Sequence, residues 1–209
     1  WETLRNWFPD LEEDKWVRLQ EYCELLREWN AKINLVSRKD MDRLETKHLA
    51  HCLTITQFLR LMPKARLLDV GTGGGLPGIP LAICYPQAHF TLIDSIGKKV
   101  MVVEDMIQKL GLKNIEVRRG RVEELPRKRR YDFVIGRAVT ALPTLFGWVS
   151  NKISKGSKHS PSNGILYLKG GDYTEELKTS GLHPAKIWNL DELLPEAELG
   201  EKYLIHFKI

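Results

Sequence analysis

The sequence is poor in cysteine and contains no long hydrophobic run. Its three cysteines, Cys23, Cys52 and Cys84, are odd in number, lie far apart and form no CxxC pair. This pattern argues against a disulfide framework and predicts reduced thiols. No stretch approaches the roughly 18 consecutive apolar residues that a membrane-spanning helix needs, and the acidic, aromatic first residues do not resemble a secretory signal. We therefore expect a cytoplasmic protein with no membrane partner.

The composition is that of a folded protein about the size of one large domain. The 209 residues are 43% hydrophobic and 28% charged, which excludes a disordered chain or a collagen-like repeat. The formal net charge is +5, and a cluster of basic residues in the middle of the chain comprises Arg118, Arg119, Arg121, Arg127, Lys128, Arg129 and Arg130. A segregated positive region favours a polyanionic partner, because each neutralised phosphate releases counterions. The alternative is a solvated loop rim.

Hydrophobic spacing divides the chain near residue 63. Before that point apolar residues recur every three or four positions, which indicates amphipathic helices; Asp10 and Glu13 form a predicted capping box, and Asp40 is predicted to begin a helix that runs to about Leu61. After it, short apolar runs alternate with helical stretches, which indicates βαβ units and a parallel sheet covered on both faces. The last two of seven strand candidates are expected to pair antiparallel. The predicted organisation is a helical segment, 1–63, packed on an α/β domain, 64–209, as a single globular unit.

A glycine-rich loop follows the first predicted strand. Residues 69–78 read DVGTGGGLPG, and the part that begins at Gly73 matches the dinucleotide fingerprint G-x-G-x-x-G. Glycine allows a tight turn and lets a ligand approach where a Cβ atom would intrude. A tight turn without a ligand is the alternative.

Asp94 ends the next predicted strand, about twenty residues after Gly73, where an acidic side chain meets ribose hydroxyls in nucleotide-binding folds. Its carboxylate can accept two hydrogen bonds from a cis-diol. NAD, FAD and S-adenosylmethionine all carry that ribose. Two features favour S-adenosylmethionine: Asp69, just before the loop, would repel a pyrophosphate, and no separate substrate domain follows the seventh strand candidate. Gly73 and Asp94 are therefore candidate cofactor-binding residues.

Several motifs in this order and spacing resemble the RsmG/GidB family. They are WNAKINLVS (29–37), KHLAHCL (47–53), DVGTGGGLPGIPLAI (69–83), HFTLIDSIGKK (89–99), RVEEL (121–125), GRAVTAL (136–142) and LYLKG (166–170). The resemblance implies a class I S-adenosylmethionine-dependent methyltransferase of Rossmann-like fold. That fold has a mostly parallel seven-stranded sheet with an antiparallel last strand, helices on both faces and, here, an N-terminal helical extension.

The family resemblance also implies an activity and a set of site residues. The expected reaction is transfer of a methyl group from S-adenosylmethionine to N7 of a specific guanine in 16S ribosomal RNA, with the small ribosomal subunit as partner, and we expect the chain to act as a monomer. The cofactor contacts carried over from the family are Gly71, Leu76, Val122, Glu123 and Arg137. Asn34 and His48 match the family pattern and are candidates for the substrate cleft. Lys169, at the end of the fifth predicted strand, is a candidate for phosphate contact.

No catalytic acid or base and no metal ligand is predicted. Guanine N7 already carries an in-plane lone pair, so the enzyme need only align the reacting atoms and exclude water; a carboxylate such as Asp69 or Glu123 would favour the cationic product. His48, His51 and Cys52 stand at helical spacing, but a second ligand pair is missing. The alternatives left open are a small-molecule methyltransferase, a non-catalytic RNA- or ribosome-binding module with a vestigial glycine loop, and a nicotinamide reductase.

Overall fold

Seven strands form one sheet at the centre of the molecule. The computed structural model describes residues 1–128 and 130–209, so Arg129 of the basic cluster lies outside the described residues. In space the strands are ordered β3-β2-β1-β4-β5-β7-β6. Their bounds are β1 (Arg66–Val70), β2 (His89–Asp94), β3 (Ile115–Arg119), β4 (Phe133–Arg137), β5 (Gly164–Gly170), β6 (Lys186–Asn189) and β7 (Lys202–Lys208).

The strand directions confirm the mostly parallel sheet with an antiparallel last strand. Strands β1 to β5 pair in parallel, whereas β7 lies antiparallel to both β5 and β6. The chain moves outward from β1 to β2 and β3, then returns to place β4 on the other side of β1. In open α/β sheets this reversal leaves a crevice at the carboxyl ends of the two central strands, and ligands bind there.

The helices cover the sheet and include one irregular entry segment. The α-helices are α1 (Glu2–Trp7), α2 (Glu13–Asn30), α3 (Ala50–Phe58), α4 (Gly78–Cys84), α5 (Gly97–Lys109), α6 (Leu142–Val149), α7 (Thr174–Ser180) and α8 (Leu190–Leu193). Short 3-10 helices span Val122–Glu124, Ser150–Lys152 and Pro195–Ala197. Between α2 and α3 the chain forms a 3-10 helix, Arg38–Arg43, followed by a π-helical turn, Leu44–Leu49.

Two helix-start predictions are corrected by this arrangement. Helix α2 begins after Glu12 without a side-chain cap, so the predicted capping box of Asp10 and Glu13 does not form. Asp40 lies inside the 3-10 helix rather than at the start of a long α-helix, and its carboxylate pairs with Lys47. Among the described residues, no helix is both long and apolar enough to cross a membrane.

Two apolar clusters pack on the two faces of the sheet, because successive residues of a strand point to opposite sides. Leu67 of β1 belongs to the first cluster together with Leu26 of α2 and Leu53 of α3, so the N-terminal helices bury their apolar faces against the sheet. Leu68, the next residue of β1, belongs to the second cluster together with Leu145 of α6. The boundary at residue 63 stays a prediction.

Candidate functional site

Two adjacent cavities open at the carboxyl ends of the central strands. The first cavity, of about 220 Å³, is lined by the glycine loop, the end of β2 and the turn after β3, and includes Gly71, Asp94, Val122 and Glu123. The second cavity, of about 620 Å³, includes His48, Arg137, Lys169 and Lys202. Both are lined by Val139 and Thr140 from the segment after β4. The structure therefore brings most of the predicted site residues to one rim of the sheet.

The glycine loop is held against β2 by its backbone. The N–H groups of Gly71 and Thr72 both donate to the carbonyl of Ile93, at 2.9 and 3.2 Å. Gly71 has a φ of +66°, and a Cβ atom there would lie 3.2 Å from the side chain of Val139. Glycine is required at this position because the left-handed backbone is strained for other residues and the space beside it is already narrow.

Asp94 connects the end of β2 to the glycine loop. Its Oδ2 accepts a hydrogen bond from the N–H of Gly73 at 3.0 Å, and its Oδ1 accepts one from the N–H of Ile96 at 2.9 Å. The residue is 7% exposed and lies on the wall of the first cavity. Each carboxylate oxygen has a further lone pair, so a pair of vicinal hydroxyls in the cavity would find two acceptors there.

Asp69 holds the glycine loop by hydrogen bonds within the core and does not line either cavity. Its Oδ2 accepts from the hydroxyl of Thr72 at 2.6 Å and from the N–H of Gly78 at 3.0 Å, and the residue is fully buried. Burial raises the pKa of Asp69 to about 7, although both hydrogen bonds oppose the shift. The structure thus corrects the expectation that this carboxylate faces a ligand or a cationic product. Glu123 does line the first cavity.

The segment between the two cavities is fixed by one tyrosine. The hydroxyl of Tyr167, on β5, accepts from the N–H groups of Val139 and Thr140 at 2.9 and 3.3 Å and donates to the carbonyl of Thr140 at 2.9 Å. Ala138, at the start of this segment, has a φ of +53°. Tyr167 therefore holds the shared wall of both cavities. From the sequence, Tyr167 was predicted only to be part of a strand.

Arg137, at the end of β4, contacts a histidine from the N-terminal segment. A guanidinium nitrogen lies 2.6 Å from Nδ1 of His48, and Nε2 of the same ring lies 3.7 Å from Oδ2 of Asp40. Because a guanidinium only donates hydrogen bonds, Nδ1 must be unprotonated in this contact. Burial, and then the charge of Arg137, lower the pKa of His48 to about 4. His48 is therefore neutral at physiological pH and carries its proton on Nε2.

The remaining predicted residues differ in their relation to the cavities. Lys169 lines the second cavity and its ammonium pairs with the carboxylate of Glu176. Leu76 is buried in the first apolar cluster, and Asn34 is exposed; neither is among the residues that line these two cavities. Leu35 and Val36, which follow Asn34, do line the second cavity. Oδ1 of Asn30 holds them in place by accepting hydrogen bonds from their N–H groups at 2.8 and 2.9 Å.

The second cavity is cationic. Within the described residues its lining contains Arg137, Lys169 and Lys202 but no aspartate or glutamate. Lys202 was not predicted from the sequence, because it begins β7 and only the antiparallel pairing of β7 with β5 brings it beside Gly170. No group of three or more His, Cys, Asp or Glu side chains in residues 1–128 and 130–209 is arranged to hold a metal ion.

Comparison with known proteins decides the family. The family model for GidB, described as rRNA small subunit methyltransferase G, matches residues 16–187. The chain belongs to the GidB family. A ribosomal RNA small subunit methyltransferase G from Christiangramia forsetii is 45% identical over 205 residues, which are 98% of this chain and 95% of the relative. The protein of the same name from Flavobacterium johnsoniae is 42% identical over 208 residues, which are 100% of this chain and 98% of the relative.

Solved structures that resemble this GidB-family chain support the fold. A SAM-dependent methyltransferase from Aquifex aeolicus superposes with a TM-score of 0.56 at 16% identity, over 81% of this chain and 94% of that one. Geranyl diphosphate C-methyltransferase from Streptomyces coelicolor gives a TM-score of 0.59 at 14% identity, over 90% and 98% of the two chains. The comparisons confirm the family resemblance, the class I fold and the expectation of an S-adenosylmethionine-dependent methyltransferase.

Proposed function

We propose that this GidB-family chain transfers the methyl group of S-adenosylmethionine to N7 of a guanine in 16S ribosomal RNA of the small subunit. The observation that carries the proposal is the pair of adjoining cavities. A small cavity with a carboxylate on its wall suits a nucleoside, and it adjoins a larger cationic cavity across Val139 and Thr140. A methyl donor in the first and an RNA base in the second would meet at this shared segment.

We assign the predicted cofactor contacts by their place in the first cavity or next to it. Asp94 would accept the ribose hydroxyls, and Val122 and Glu123 would border the adenine. Gly71 lines the cavity, Gly73 holds the carboxylate of Asp94 through its N–H, and Leu76 would act through its backbone because its side chain is in the core. Arg137 lies at the border with the second cavity, where it would meet the methionine carboxylate.

The chemistry asks for alignment rather than proton transfer. Bound S-adenosylmethionine supplies a methyl group on a sulfonium, and as the bond from N7 to carbon forms, the carbon–sulfur bond breaks and its electron pair stays on sulfur. No proton moves, so the chain needs no general base. The residues of the two cavities hold the base in line with the donor and exclude water. The cationic lining at Lys169 and Lys202 suits the phosphates of RNA, with Asn34 and His48 on the segment that enters this cavity.

Incubation with labelled methyl donor tests the proposal. The acceptors are assembled 30S subunits, naked 16S RNA and guanosine monophosphate, and mass mapping locates the product. We expect N7-methylguanine at one site in RNA and little transfer to the mononucleotide. Efficient methylation of the mononucleotide that is insensitive to salt would indicate a small-molecule enzyme. RNA binding without affinity for S-adenosylmethionine in calorimetry would indicate a binding module.

We further propose that the chain acts as a monomer in the cytoplasm, where ribosomal subunits are its partner. Sedimentation at concentrations used for the methylation assay checks the first point. A dimer that persists on dilution would contradict it.

A further inference from the structure

Asp40 stands behind the predicted site without lining either cavity. It belongs to the 3-10 helix Arg38–Arg43 in the N-terminal segment, and its side chain is 28% exposed. Two neighbouring residues of the following π-helical turn reach it. Nζ of Lys47 lies 3.1 Å from Oδ1, and Nε2 of His48 lies 3.7 Å from Oδ2.

The irregular backbone explains how two consecutive residues reach one carboxylate. In a regular α-helix, neighbouring side chains diverge by about 100°. Residues 38–49 instead change from 3-10 to π geometry, and Lys47 and His48 both come to Asp40. Single π-helical turns are often found at functional sites. The turn thus places His48 between Asp40 on one side and Arg137 on the other.

Only the tautomer with its proton on Nε2 lets the neutral His48 ring accept a hydrogen bond from Arg137 and direct an N–H toward Asp40. Its Nδ1 accepts from Arg137 at 2.6 Å, so the proton of the neutral ring is on Nε2, which faces the carboxylate of Asp40. The 3.7 Å separation is too long for a hydrogen bond, and Nε2 has no hydrogen-bond partner within the described part of the chain, so Asp40 acts on the ring through its charge. A carboxylate near one ring nitrogen favours the tautomer protonated there and leaves the other nitrogen as the acceptor.

We propose that Asp40 is a positioning residue, which holds His48 in the Nε2–H form so that Nδ1 orients the guanidinium of Arg137 toward the cofactor. The inference rests on the proposed role of Arg137 in binding S-adenosylmethionine. It links the N-terminal segment, which lines the second cavity, to the cofactor site at the end of β4. An arginine side chain left without this contact would lose more conformational freedom when it binds a ligand.

Calorimetric titration with S-adenosylmethionine measures the effect directly. We expect Asp40→Ala and His48→Leu to raise the Kd about 5- to 20-fold. His48→Gln should recover part of the affinity, because the amide oxygen can accept from Arg137. Lys47→Met, which removes the ion pair but leaves the Asp40–His48–Arg137 contacts, and Asp42→Ala, on the exposed side of the same 3-10 helix, should stay within about twofold. Thermal unfolding of each variant shows whether a change in Kd merely follows a loss of folding.

Nitrogen NMR of the histidine rings provides a readout that a purely structural role would not move. In the wild type at neutral pH, the His48 resonances, assigned by their absence in His48→Gln, should show an unprotonated Nδ1 and a protonated Nε2. Asp40→Ala should shift this ring toward a mixture of tautomers. A wild-type His48 protonated on Nδ1 would overturn the proposal even if Asp40→Ala failed to fold.

The outcomes separate this inference from the proposed function. If the wild type methylates RNA and Asp40→Ala binds the donor with unchanged Kd, the positioning role is wrong and the activity stands. If the wild type binds the donor but methylates no RNA, the activity is wrong. The comparison of Kd values then still decides the role of Asp40.

Discussion

The N–H of Gly73 donates to Oδ2 of Asp94 at 3.0 Å, so the carboxylate proposed to hold the ribose also fastens the glycine loop. The second oxygen accepts from the N–H of Ile96, at the start of α5. One side chain therefore organises the first cavity on two sides. Its loss should affect the ligand contacts and the loop together.

Substitution of Asp94 should weaken cofactor binding strongly. Hydrogen bonds to a charged group contribute about 1.5–3 kcal/mol each, so we expect Asp94→Ala to raise the Kd for S-adenosylmethionine at least 10- to 100-fold. Asp94→Asn keeps one acceptor oxygen, so its Kd should lie between those of the wild type and Asp94→Ala. Glu116→Ala, an exposed acidic residue on β3, is the matched control and should leave the Kd unchanged. Equal effects at the two positions in calorimetry would contradict the assignment of Asp94.

Spacing along the chain predicted that the glycine loop and Asp94 lie together, but not the contacts around the second cavity, for a physical reason. The loop and Asp94 belong to a continuous strand–loop–helix–strand unit, so their spacing along the chain determines their proximity. The contact between His48 and Arg137 joins residues 89 positions apart. Lys202 comes beside Gly170 only through the pairing of β7 with β5. Such proximity depends on how the whole sheet is assembled, and local spacing does not contain it.

Hydrophobic spacing also could not predict the irregular segment 38–49 between α2 and α3. Apolar residues at intervals of three and four predict a helical face, but the same intervals fit an α-helix interrupted by 3-10 and π turns. The structure shows that interruption between Arg38 and Leu49. The predicted cap at Asp40 was wrong because the carboxylate contacts side chains seven and eight residues later rather than the backbone of its own first turn.

The tyrosine that holds the shared wall gives a second test. Tyr167→Phe leaves the partly buried N–H groups of Val139 and Thr140 without an acceptor, and we expect it to lower the free energy of unfolding by about 1–3 kcal/mol. Both cofactor and RNA affinity should fall, because the segment lines both cavities. Tyr131→Phe is the control, since its hydroxyl makes no hydrogen bond within the described residues. Denaturant unfolding and both titrations measure the difference; loss of only one affinity would argue against a shared wall.

The buried carboxyl of Asp69 predicts a pH dependence of stability. Burial raises its pKa to about 7 in the folded protein, above its ordinary value near 4. Between these values the folded state binds a proton that the unfolded state does not, so this group makes the free energy of unfolding fall as pH rises, by up to about 1.4 kcal/mol per pH unit. Asp69→Asn keeps an acceptor for Thr72 and Gly78 and should remove this contribution. Asp42→Asn, at an exposed position, should leave the pH dependence of the unfolding free energy unchanged.

Urea unfolding at several pH values between 4 and 8 checks the sign. The free energy of unfolding of the wild type minus that of Asp69→Asn should decline as pH rises toward 7 and then level off. A difference curve that rises with pH would mean that the folded protein holds Asp69 ionised.

Paired glycine substitutions test the packing behind the loop. A Cβ atom at Gly78 would lie 2.6 Å from Oδ2 of Asp69 and 2.7 Å from the side chain of Leu92, so Gly78→Ala should cost about 1–3 kcal/mol of unfolding free energy. Gly147 lies in the exposed part of α6 with no atom within 4 Å of such a Cβ. Gly147→Ala should therefore stabilise the protein by up to about 1 kcal/mol. Thermal unfolding that moves both variants in the same direction would contradict this view of the loop.

Lys202 provides the most direct test of the cationic cavity, because the same strand carries its control. Lys202 begins β7 beside Gly170, lines the second cavity and makes no ion pair within the described residues, whereas Lys208 is exposed at the opposite end of β7. Lys202→Met should weaken RNA binding several-fold and reduce the slope of log K against log salt concentration by about 0.7–0.9, the loss of one phosphate contact. Affinity for S-adenosylmethionine should not change.

Lys208→Met removes the same charge from the same strand and should leave the salt slope within error of the wild type. Fluorescence titrations of small-subunit RNA at several salt concentrations measure both variants. If the two lysines gave equal changes in slope, RNA would be responding to the overall net charge of the protein. If only Lys202→Met changed the salt slope, the result would place a phosphate at the cavity that adjoins the methyl donor. The two variants lose the same charge from opposite ends of one strand, so position alone distinguishes them.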